Sequence, residues 1–315
     1  MRHKWIDWPN ILDTRQFKER EVLDELFQKT NEMRRCCEDG KPTDLAKGKI
    51  LITLFYEPST RTRHSFESAM ARLGGGCIST AEAVVFSSAA KGETVGDTVR
   101  VESAYGHAIV LRHPKNGAAE EAAKYAKIPL INAGDGSNQH PTQSLLDIYT
   151  INREIGRIDG LKVGMLGDTK KSRTIRSLTY LLAHQKGNEL FFISPSAFAP
   201  EKDIIDHLND KGVTHTLTEN MDVLPELDVL YVTRAQLERY EGKDKEELKK
   251  EYQKYIITKT VAETMRKGSI IMHPLPRVDE IALEVDSDPR ARYFQESENG
   301  VYMRMALLAG IFEGS

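Results

Sequence analysis

Short apolar runs alternate with longer helix-like stretches along most of the chain. The runs are rich in aliphatic and β-branched residues and lie at 50–55, 108–111, 129–132, 162–166, 190–193, 229–232 and 269–272. Continuous apolar runs of this length are typical of strands that are buried on both faces. Their alternation with helices predicts βαβ units, so the predicted fold class is α/β with parallel sheets flanked by helices.

A predicted helix that begins at His140 or Pro141 and ends near Glu154 separates the first three strands from the last four. Pro141 suits the first turn of that helix because its missing N–H would have no partner there. We therefore expect two domains, residues 1–142 and 143–299. An apolar helix within residues 300–315 is expected to pack back on the first domain. The charged stretch 241–255 is expected to be a solvated helix or a mobile surface loop, and a lid is the alternative.

The run PSTRTR at residues 58–63 lies between the first strand and an amphipathic helix. The apolar positions Phe66, Ala69, Met70 and Leu73 of that helix recur at i, i+3, i+4 and i+7. The unpaired N–H groups of a helix N-terminus favour an anion, and hydroxyls and guanidinium groups add donors. The run therefore predicts a phosphate site. The alternative is an ordinary Ser/Thr helix cap with solvated arginines.

The composition narrows the classes of protein and ligand. The chain has 315 residues, of which 40% are hydrophobic and 29% charged, as in a globular protein with two domains. Its formal net charge is -3, so no global positive field attracts nucleic acid, and a small anion is the better ligand. The three cysteines include an adjacent pair, which predicts reduced thiols rather than disulfides or a zinc site. We expect a cytoplasmic location, with no membrane segment and no signal peptide.

Polar segments follow five of the predicted strands. Parallel α/β sheets bind ligands at the carboxyl ends of their strands, which makes these segments candidates for the site. They are residues 112–113, 134–143, 167–174, 233–236 and 273–277. They offer cations and hydrogen-bond donors, which suit two anionic substrates and an oxyanion between them.

The same segments contain no pair of acid/base carboxylates, no Ser-His-Asp order and no nucleophilic cysteine context. We therefore expect a reaction without a covalent enzyme intermediate. There is no Walker A sequence, and the glycines near residue 167 lack the third position of a dinucleotide fingerprint. The prediction is an enzyme without a metal or an organic cofactor.

Four sequence segments resemble one family closely. They are PSTRTR, RHP at 112–114, NAGDGSNQHPTQ at 132–143 and HPLPRVDEI at 273–281. Together they are similar to the carbamoyltransferase family, and the match runs essentially from end to end. HPTQ and HPLPR resemble the branch that acts on aspartate, whereas ornithine enzymes resemble HPCQ and HCLP. The resemblance implies transfer of a carbamoyl group from carbamoyl phosphate to L-aspartate, an early step of pyrimidine biosynthesis, at a site in the cleft between the domains.

The resemblance also implies roles for individual residues. The implied ligands of the phosphate group of carbamoyl phosphate are Ser59, Thr60, Arg61 and Thr62. The implied ligands of its carbonyl oxygen are Thr62, Arg112 and His140. Gln143 is the implied ligand of its amino group. For aspartate, the implied ligands of the carboxylates are Arg173, Arg234 and Gln236, and that of the amine is the Leu275 and Pro276 backbone. Independently of the resemblance, a dicarboxylate needs two cationic anchors, and Arg173 and Arg234 follow two different strands.

The segment 85–94 resembles a loop through which a neighbouring subunit completes the site. The resemblance implies a homotrimer in which Ser87 and Lys91 are donated across the subunit interface, and Lys91 also binds aspartate. Without the resemblance, Lys91 would be an ordinary exposed lysine. Ala90, Lys171 and Ser172 depart from the family pattern, which bears on loop closure rather than on the reaction. The resemblance leaves open whether a regulatory chain or a dihydroorotase is a further partner.

Two other functions remain open at this point. A transcarbamoylase that acts on ornithine or another amine would share the phosphate side of the site. A non-catalytic anion-binding scaffold would share the fold, but it would be expected to lose some of Arg61, Lys91, Arg112 and His140, and all four are present.

Overall fold

A computed structural model describes residues 10–41, 43–81, 92–240 and 245–313. The chain divides into two compact units. The first comprises Met1–Leu146 and Glu298–Ser315, and the second comprises Asp147–Ser297. Each unit contains one five-stranded sheet.

The sheet of the first unit has the strand order β1-β5-β4-β2-β3, and its described pairings are all parallel. Its strands are β1 Asn10–Ile11, β2 Ile50–Phe55, β3 Gly76–Ala81, β4 Ala108–His113 and β5 Leu130–Asp135. The central strands β2 and β4 are buried because their residues are almost all apolar. Parallel pairing places the carboxyl ends of these strands at one edge of the sheet.

The sheet of the second unit has the order β10-β9-β6-β7-β8 and is also parallel in its described pairings. Its strands are β6 Lys162–Leu166, β7 Glu189–Ile193, β8 Thr214–Thr218, β9 Val229–Val232 and β10 Ile270–Met272. Each unit thus has the architecture predicted from the alternating pattern, and the predicted fold class is confirmed.

Helices connect most successive strands, as the crossovers of parallel pairing require, and the last helix follows β10. The α-helices are α1 Arg20–Glu38, α2 Thr60–Arg72, α3 Val95–Glu102, α4 Ala118–Ala123, α5 Pro141–Ile155, α6 Arg173–Ala183, α7 Lys202–Asp210, α8 Lys245–Tyr252, α9 Lys259–Thr264 and α10 Tyr293–Glu313. Short 3-10 helices are Thr14–Phe17, Ser196–Phe198, Met221–Glu226, Leu237–Arg239, Gln253–Tyr255 and Leu283–Ser287. None of the helices in the described ranges combines the length and apolar character that crossing a bilayer requires.

The seven predicted strands are all present, and three of them, β2, β6 and β9, have the predicted bounds. The sequence pattern missed β1, β3 and β8. β1 has only two residues, whereas β3 and β8 lie at sheet edges and are mostly exposed, so their residues are polar or small rather than continuously apolar. An edge strand can be stable with only one face covered. Its sequence therefore need not contain the continuous apolar run by which a central strand is identified.

Two helices differ from their sequence-based predictions. The last helix, α10, begins at Tyr293 rather than within residues 300–315, because its first turns mix the buried polar residues Glu296 and Asn299 with exposed ones and so lack an apolar pattern. In the charged stretch 241–255, residues 241–244 lie outside the described ranges, and α8 follows. Leu248 and Tyr252 of α8 pack with Phe198 and Tyr240, so this helix has a buried apolar face.

We predict that Leu230→Ala lowers the free energy of unfolding by about 2–5 kcal/mol, because Leu230 is fully buried on the central strand β9. The matched control is Leu217→Ala on the edge strand β8 of the same sheet, where the side chain is 49% exposed. Its loss should cost no more than about 0.5 kcal/mol. Urea denaturation followed by circular dichroism measures both, and equal costs would contradict the assigned burial.

Candidate active site

The N-terminus of α2 is the phosphate-site candidate of the first unit. Ser59 is the N-cap residue, with extended backbone (φ -160°, ψ 96°), and its side chain makes no capping hydrogen bond. Thr60, Arg61 and Thr62 form the first turn. The alternative of an ordinary side-chain cap is therefore not what the structure contains, and these donors are available for an anion.

Arg61 is the cation of this turn. Neither Arg61 nor its neighbours Ser59 and Thr60 use their side chains in a hydrogen bond or ion pair with another residue of the described ranges. Partial burial lowers the pKa of the Arg61 guanidinium, because desolvation disfavours its charge. A bound anion would offset that cost, as expected for a cation built into an anion site.

Arg112 lies at the carboxyl end of β4. Its Nη2 atom is 3.3 Å from Oε1 of Glu57, and the Tyr56 N–H donates to its carbonyl oxygen at 2.8 Å. These contacts join the end of β4 to the segment that precedes α2. The ring of the following residue, His113, lies 4.8 Å from the Tyr56 ring in a tilted arrangement, and burial lowers the pKa of His113. The ion pair with Glu57 thus orients the Arg112 guanidinium.

The segment after β5 is folded around the buried carboxylate of Asp135. This carboxylate accepts hydrogen bonds from the N–H groups of Gly117 at 2.7 Å and Gln139 at 3.1 Å. It also accepts from the amides of Asn132 at 3.0 Å and Asn138 at 3.1 Å. A side chain with so many donors determines the path of the loop that leads to His140.

His140 precedes the first residue of α5 and is buried. Its carbonyl oxygen accepts from the N–H groups of Gln143 at 3.0 Å and Ser144 at 3.2 Å, so its backbone starts the helix. Gln143, the predicted partner of the carbamoyl amino group, lies in the first turn and is also buried. The first unit therefore contains a candidate phosphate-binding turn, Arg112 and a buried histidine, each at a strand or helix end.

In the second unit, Asp168 connects two segments that follow different strands. Its carboxylate accepts from the Lys171 N–H at 2.9 Å in the β6–α6 segment. In the segment after β9, it accepts from the Gln236 N–H at 3.1 Å and the Tyr240 hydroxyl at 2.8 Å. Gly167 has φ 118°, and a Cβ there would lie 2.2 Å from the Thr233 carbonyl oxygen, so only glycine permits this approach.

Arg173 is the first residue of α6 and is buried. Ser172 is the N-cap residue, and its hydroxyl accepts from the Ile175 N–H at 3.4 Å. The Lys171 ammonium is 2.8 Å from Oε1 of Glu201. Lys171 and Ser172, which depart from the family pattern, therefore fix the turn in which Arg173 lies.

Arg234 follows β9 and forms a bidentate ion pair with Glu238, with one N–O distance of 3.0 Å. That hydrogen bond raises the pKa of the guanidinium and keeps it charged. A cavity of about 180 Å³ lies beside it, with Leu237, Tyr252 and Glu280 among its other walls. The Tyr252 hydroxyl donates to the carbonyl oxygen of Thr233, the residue before Arg234, which fixes the start of this segment.

The segment after β10 is organised by the His273 imidazole. Its Nδ1 atom accepts from the Leu275 N–H at 2.7 Å, so Nε2 carries the proton that is shared with Oε1 of Glu280 at 2.7 Å. Although burial raises the pKa of Glu280, the hydrogen bond from His273 and further hydrogen bonds hold it below the usual value. Leu275 has φ 54° and precedes a cis peptide bond to Pro276. Arg277, the cation of this segment, is paired with Asp286.

The predicted site residues fall into two groups. The structure describes Ser59, Thr60, Arg61, Thr62, Arg112, His140 and Gln143 in the first unit, and Arg173, Arg234, Gln236, Leu275 and Pro276 in the second. Ser87 and Lys91 lie outside the described residues, as does Ala90. The role of each residue, and a site shared between domains and subunits, stay predictions. Within the described ranges, His, Cys, Asp and Glu side chains form no group suited to a metal ion.

The sequence reasoning missed the acidic residues that hold the cationic ones. Glu57, Asp135, Asp168 and Glu238 each bind a predicted site residue or its segment. One of them carried a readable signal: Glu238 is four residues after Arg234, a spacing that brings side chains together in a helical turn. Glu57 is 55 residues from Arg112, and only the fold brings them together.

Comparison with known proteins agrees with this geometry. The model of the aspartate/ornithine carbamoyltransferase carbamoyl-P binding domain matches residues 10–153. The model of the Asp/Orn binding domain of the same enzymes matches residues 159–311. The two matches together cover most of the chain.

Individual relatives match over nearly the whole chain. The aspartate carbamoyltransferase catalytic subunit of Methanocaldococcus jannaschii is 48% identical over 96% of this chain and 98% of its own length. Aspartate carbamoyltransferase 2 of Pisum sativum, a chloroplastic protein, is 47% identical over 97% of this chain and 79% of its own.

A solved structure extends the similarity to the fold. Aspartate transcarbamoylase from Trypanosoma cruzi, in complex with carbamoyl phosphate and aspartate, superposes with a TM-score of 0.93 at 37% identity, over 99% of both chains. The resemblance inferred from the sequence segments is thereby confirmed, and the chain belongs to the aspartate/ornithine carbamoyltransferase family.

Proposed function

We propose that this enzyme transfers the carbamoyl group of carbamoyl phosphate to the α-amino group of L-aspartate. The products are N-carbamoyl-L-aspartate and phosphate. The observation that carries the choice of substrate is the pair of cations Arg173 and Arg234, which follow two strands and whose segments are tied together through Asp168. The relatives named aspartate carbamoyltransferase support the same choice.

Carbamoyl phosphate is bound by the first unit. The N–H groups and hydroxyls at the start of α2 hold the phosphate, and Arg61 supplies its countercharge. Arg112, Thr62 and His140 donate to the carbonyl oxygen, and Gln143 accepts from the amino group. Glu57 keeps the Arg112 fork oriented before substrate arrives.

Aspartate is bound by the second unit. Arg173 and Arg234 take its carboxylates because planar guanidinium groups bind carboxylates with two parallel hydrogen bonds. Gln236 assists, and the Leu275 and Pro276 backbone accepts from the amine. A diamine substrate such as ornithine would place a cation where two guanidinium groups already lie, which disfavours it.

The reaction consists of one displacement. The lone pair of the amine nitrogen attacks the carbonyl carbon, and negative charge develops on the carbonyl oxygen near Arg112 and His140. The bond from that carbon to the phosphate oxygen then breaks with its electron pair. The departing phosphate takes a proton from the nitrogen, so the protein needs no general base.

The proposal includes a homotrimer whose sites receive Ser87 and Lys91 from a neighbouring subunit. It also places the enzyme in the cytoplasm, at an early step of pyrimidine biosynthesis. The two rivals make different predictions: another transcarbamoylase would prefer ornithine or a different amine, and a scaffold subunit would have no turnover.

We predict that the purified protein forms carbamoylated product from carbamoyl phosphate with L-aspartate and not with L-ornithine. The paired arginines and the HPLPR segment are the reason. A colorimetric or mass-spectrometric assay with each amino acid decides the question. Equal or greater turnover of ornithine would overturn the choice of substrate, and turnover of neither would favour the scaffold.

We predict that His140→Ala lowers kcat by about 100- to 1,000-fold and changes KM for carbamoyl phosphate much less. A donor to a developing oxyanion contributes roughly 2.7–4 kcal/mol in the transition state. Because the backbone of His140 starts α5, thermal unfolding of the variant is the control for a folding defect. An unchanged kcat in folded protein would remove His140 from the mechanism.

The shared site gives a third prediction. Arg61→Ala and Lys91→Ala trimers should each be nearly inactive. In a cyclic trimer reassembled at random from equal amounts, about three-quarters of rings are mixed, and each mixed ring regains one complete site in three. Activity should therefore recover to roughly a quarter of the unmutated level.

The matched control mixes Arg61→Ala with His140→Ala. Both residues are proposed to serve one site from one chain, so no interface in these mixed rings is complete. This mixture should remain inactive. If the mixture that contains Lys91→Ala also stays inactive, the model of a shared site is wrong.

A further inference from the structure

Two acidic side chains meet inside the second unit. Asp147 on α5 is 0% exposed and Glu296 on α10 is 1% exposed, and a side-chain hydrogen bond joins their carboxyl groups. A hydrogen bond between two carboxyl groups requires a proton on one of them, because an ionised carboxylate can only accept. Two adjacent buried carboxylates are also too costly to ionise together.

Both carboxyl groups have further partners. The Tyr231 hydroxyl donates to Oδ2 of Asp147 at 2.9 Å and lies close to the Thr174 side chain. Oε2 of Glu296 accepts from the backbone N–H of His273 at 2.8 Å. These two bonds and the contact between the carboxyl groups are all satisfied if a single proton lies between Asp147 and Glu296.

This series connects the three segments that follow β6, β9 and β10. Thr174 is adjacent to Arg173, and Tyr231 lies three residues before Arg234. His273 begins the segment in which its own imidazole accepts from the Leu275 N–H. The interior of the unit therefore links the segments that the proposed function assigns to aspartate.

We propose that Asp147 and Glu296 share one proton at neutral pH and that this pair positions the three segments that bind aspartate. The assignment of these segments to aspartate rests on the proposed function, whereas the shared proton does not. Glu296 acts here as a positioning residue, since it touches the backbone of His273 and not the substrate.

The protonation state follows from the surroundings of the pair. Burial raises the pKa of Glu296 well above its usual value, and the charge of Asp147 raises it further. The titratable groups against it are Asp147 from α5 and, beyond it, Tyr231 from β9. On the β10 side it meets the His273 backbone, while the His273 imidazole is paired with Glu280. Neither the Asp147 carboxyl nor the Tyr231 hydroxyl carries a positive charge that would favour ionisation of both acids.

The sign of the pH dependence can be worked out. In the unfolded chain Glu296 loses its proton above about pH 4.3, whereas the folded protein keeps it. The folded state therefore binds one more proton, and raising the pH favours unfolding. Between the unfolded and the folded pKa, the folding equilibrium constant should fall by about tenfold per pH unit because of this group.

The central variant is Glu296→Gln, which is isosteric and needs no proton. Its carbonyl can still accept from the His273 N–H, and its amide can donate to an ionised Asp147. The folding equilibrium constant of this variant should rise relative to that of the unmutated protein by about tenfold per pH unit across the window. Urea unfolding at a series of pH values measures this. The matched control is Glu226→Gln, an exposed acid of the same unit paired with Lys162, which should not show that rise.

Infrared spectroscopy provides a direct signature that does not depend on activity. The unmutated protein at neutral pH should show the carbonyl stretch of a protonated carboxyl group, above the amide band in D2O, and Glu296→Gln should lack it. Absence of that band from the difference spectrum, together with parallel stability profiles, would overturn the shared proton.

The positioning role is tested with Tyr231→Phe, which keeps the ring and removes the donor to Asp147. It should raise KM for aspartate several-fold, up to about tenfold, and leave KM for carbamoyl phosphate unchanged. Tyr255→Phe is the control, because it loses a partly buried hydroxyl that donates to the Glu219 carbonyl oxygen at 3.0 Å in the same unit. An equal effect of both variants on KM for aspartate would overturn the positioning role.

Amide hydrogen exchange separates this test from the proposed function. Glu296→Leu should accelerate exchange of the His273 amide, and Glu296→Gln should restore its protection. If Glu296→Leu does not fold, Glu296→Gln is compared with the unmutated protein instead. Faster exchange of the His273 amide in Glu296→Gln would then contradict the contact between residue 296 and the His273 backbone. A protein without carbamoyl transfer would refute the function, while the exchange, infrared and stability results would still decide on the pair.

Discussion

Parallel strand pairing is the constraint on which the site of each unit depends. Successive parallel strands need a crossover connection, so the chain leaves every strand of a sheet at the same edge. Segments that are far apart in sequence, such as those after β6, β9 and β10, therefore become neighbours without any specific contact between them. Their polar side chains can then act on one small molecule, and the apolar strands beneath them supply a rigid base.

A loop at the end of a strand still needs a fixed path, and both units provide it with a buried aspartate. Asp135 accepts from two N–H groups and two side-chain amides, whereas Asp168 accepts from two N–H groups and a phenol. A buried carboxylate is stable only when such donors surround it, so the loop must adopt the path that delivers them. Because burying the charge costs free energy unless these donors are in place, one loop conformation is strongly favoured. The cationic residues that the loops present are oriented as a consequence.

The pair formed by Asp147 and Glu296 extends the same logic into the interior of the second unit. Here two buried carboxyl groups lie against each other, which disfavours two negative charges, and one shared proton removes one of them. A neutral carboxylic acid is both donor and acceptor, which allows it to connect Asp147 with the His273 backbone. A glutamine amide in place of the Glu296 carboxyl would make the same hydrogen bonds. The proton shared by Asp147 and Glu296 therefore makes stability depend on pH, although the fold does not require this dependence.

The sequence by itself determined the alternation of strands and helices, the buried central strands and the polar start of α2, because these depend on local patterns of apolar and polar residues. It also allowed recognition of the family, since the segments at the strand ends are short and contiguous. Only the tertiary structure decided which acids hold the cations, as with Glu57 and Arg112, or Asp168 and the segment after β9. It also decided that Glu296 and Asn299 in the first turns of α10 are buried and that Glu296 lies against Asp147, 149 residues earlier in the chain. The sequence does not distinguish a solvated carboxyl group from a buried one, because burial depends on contacts between residues that are distant in sequence.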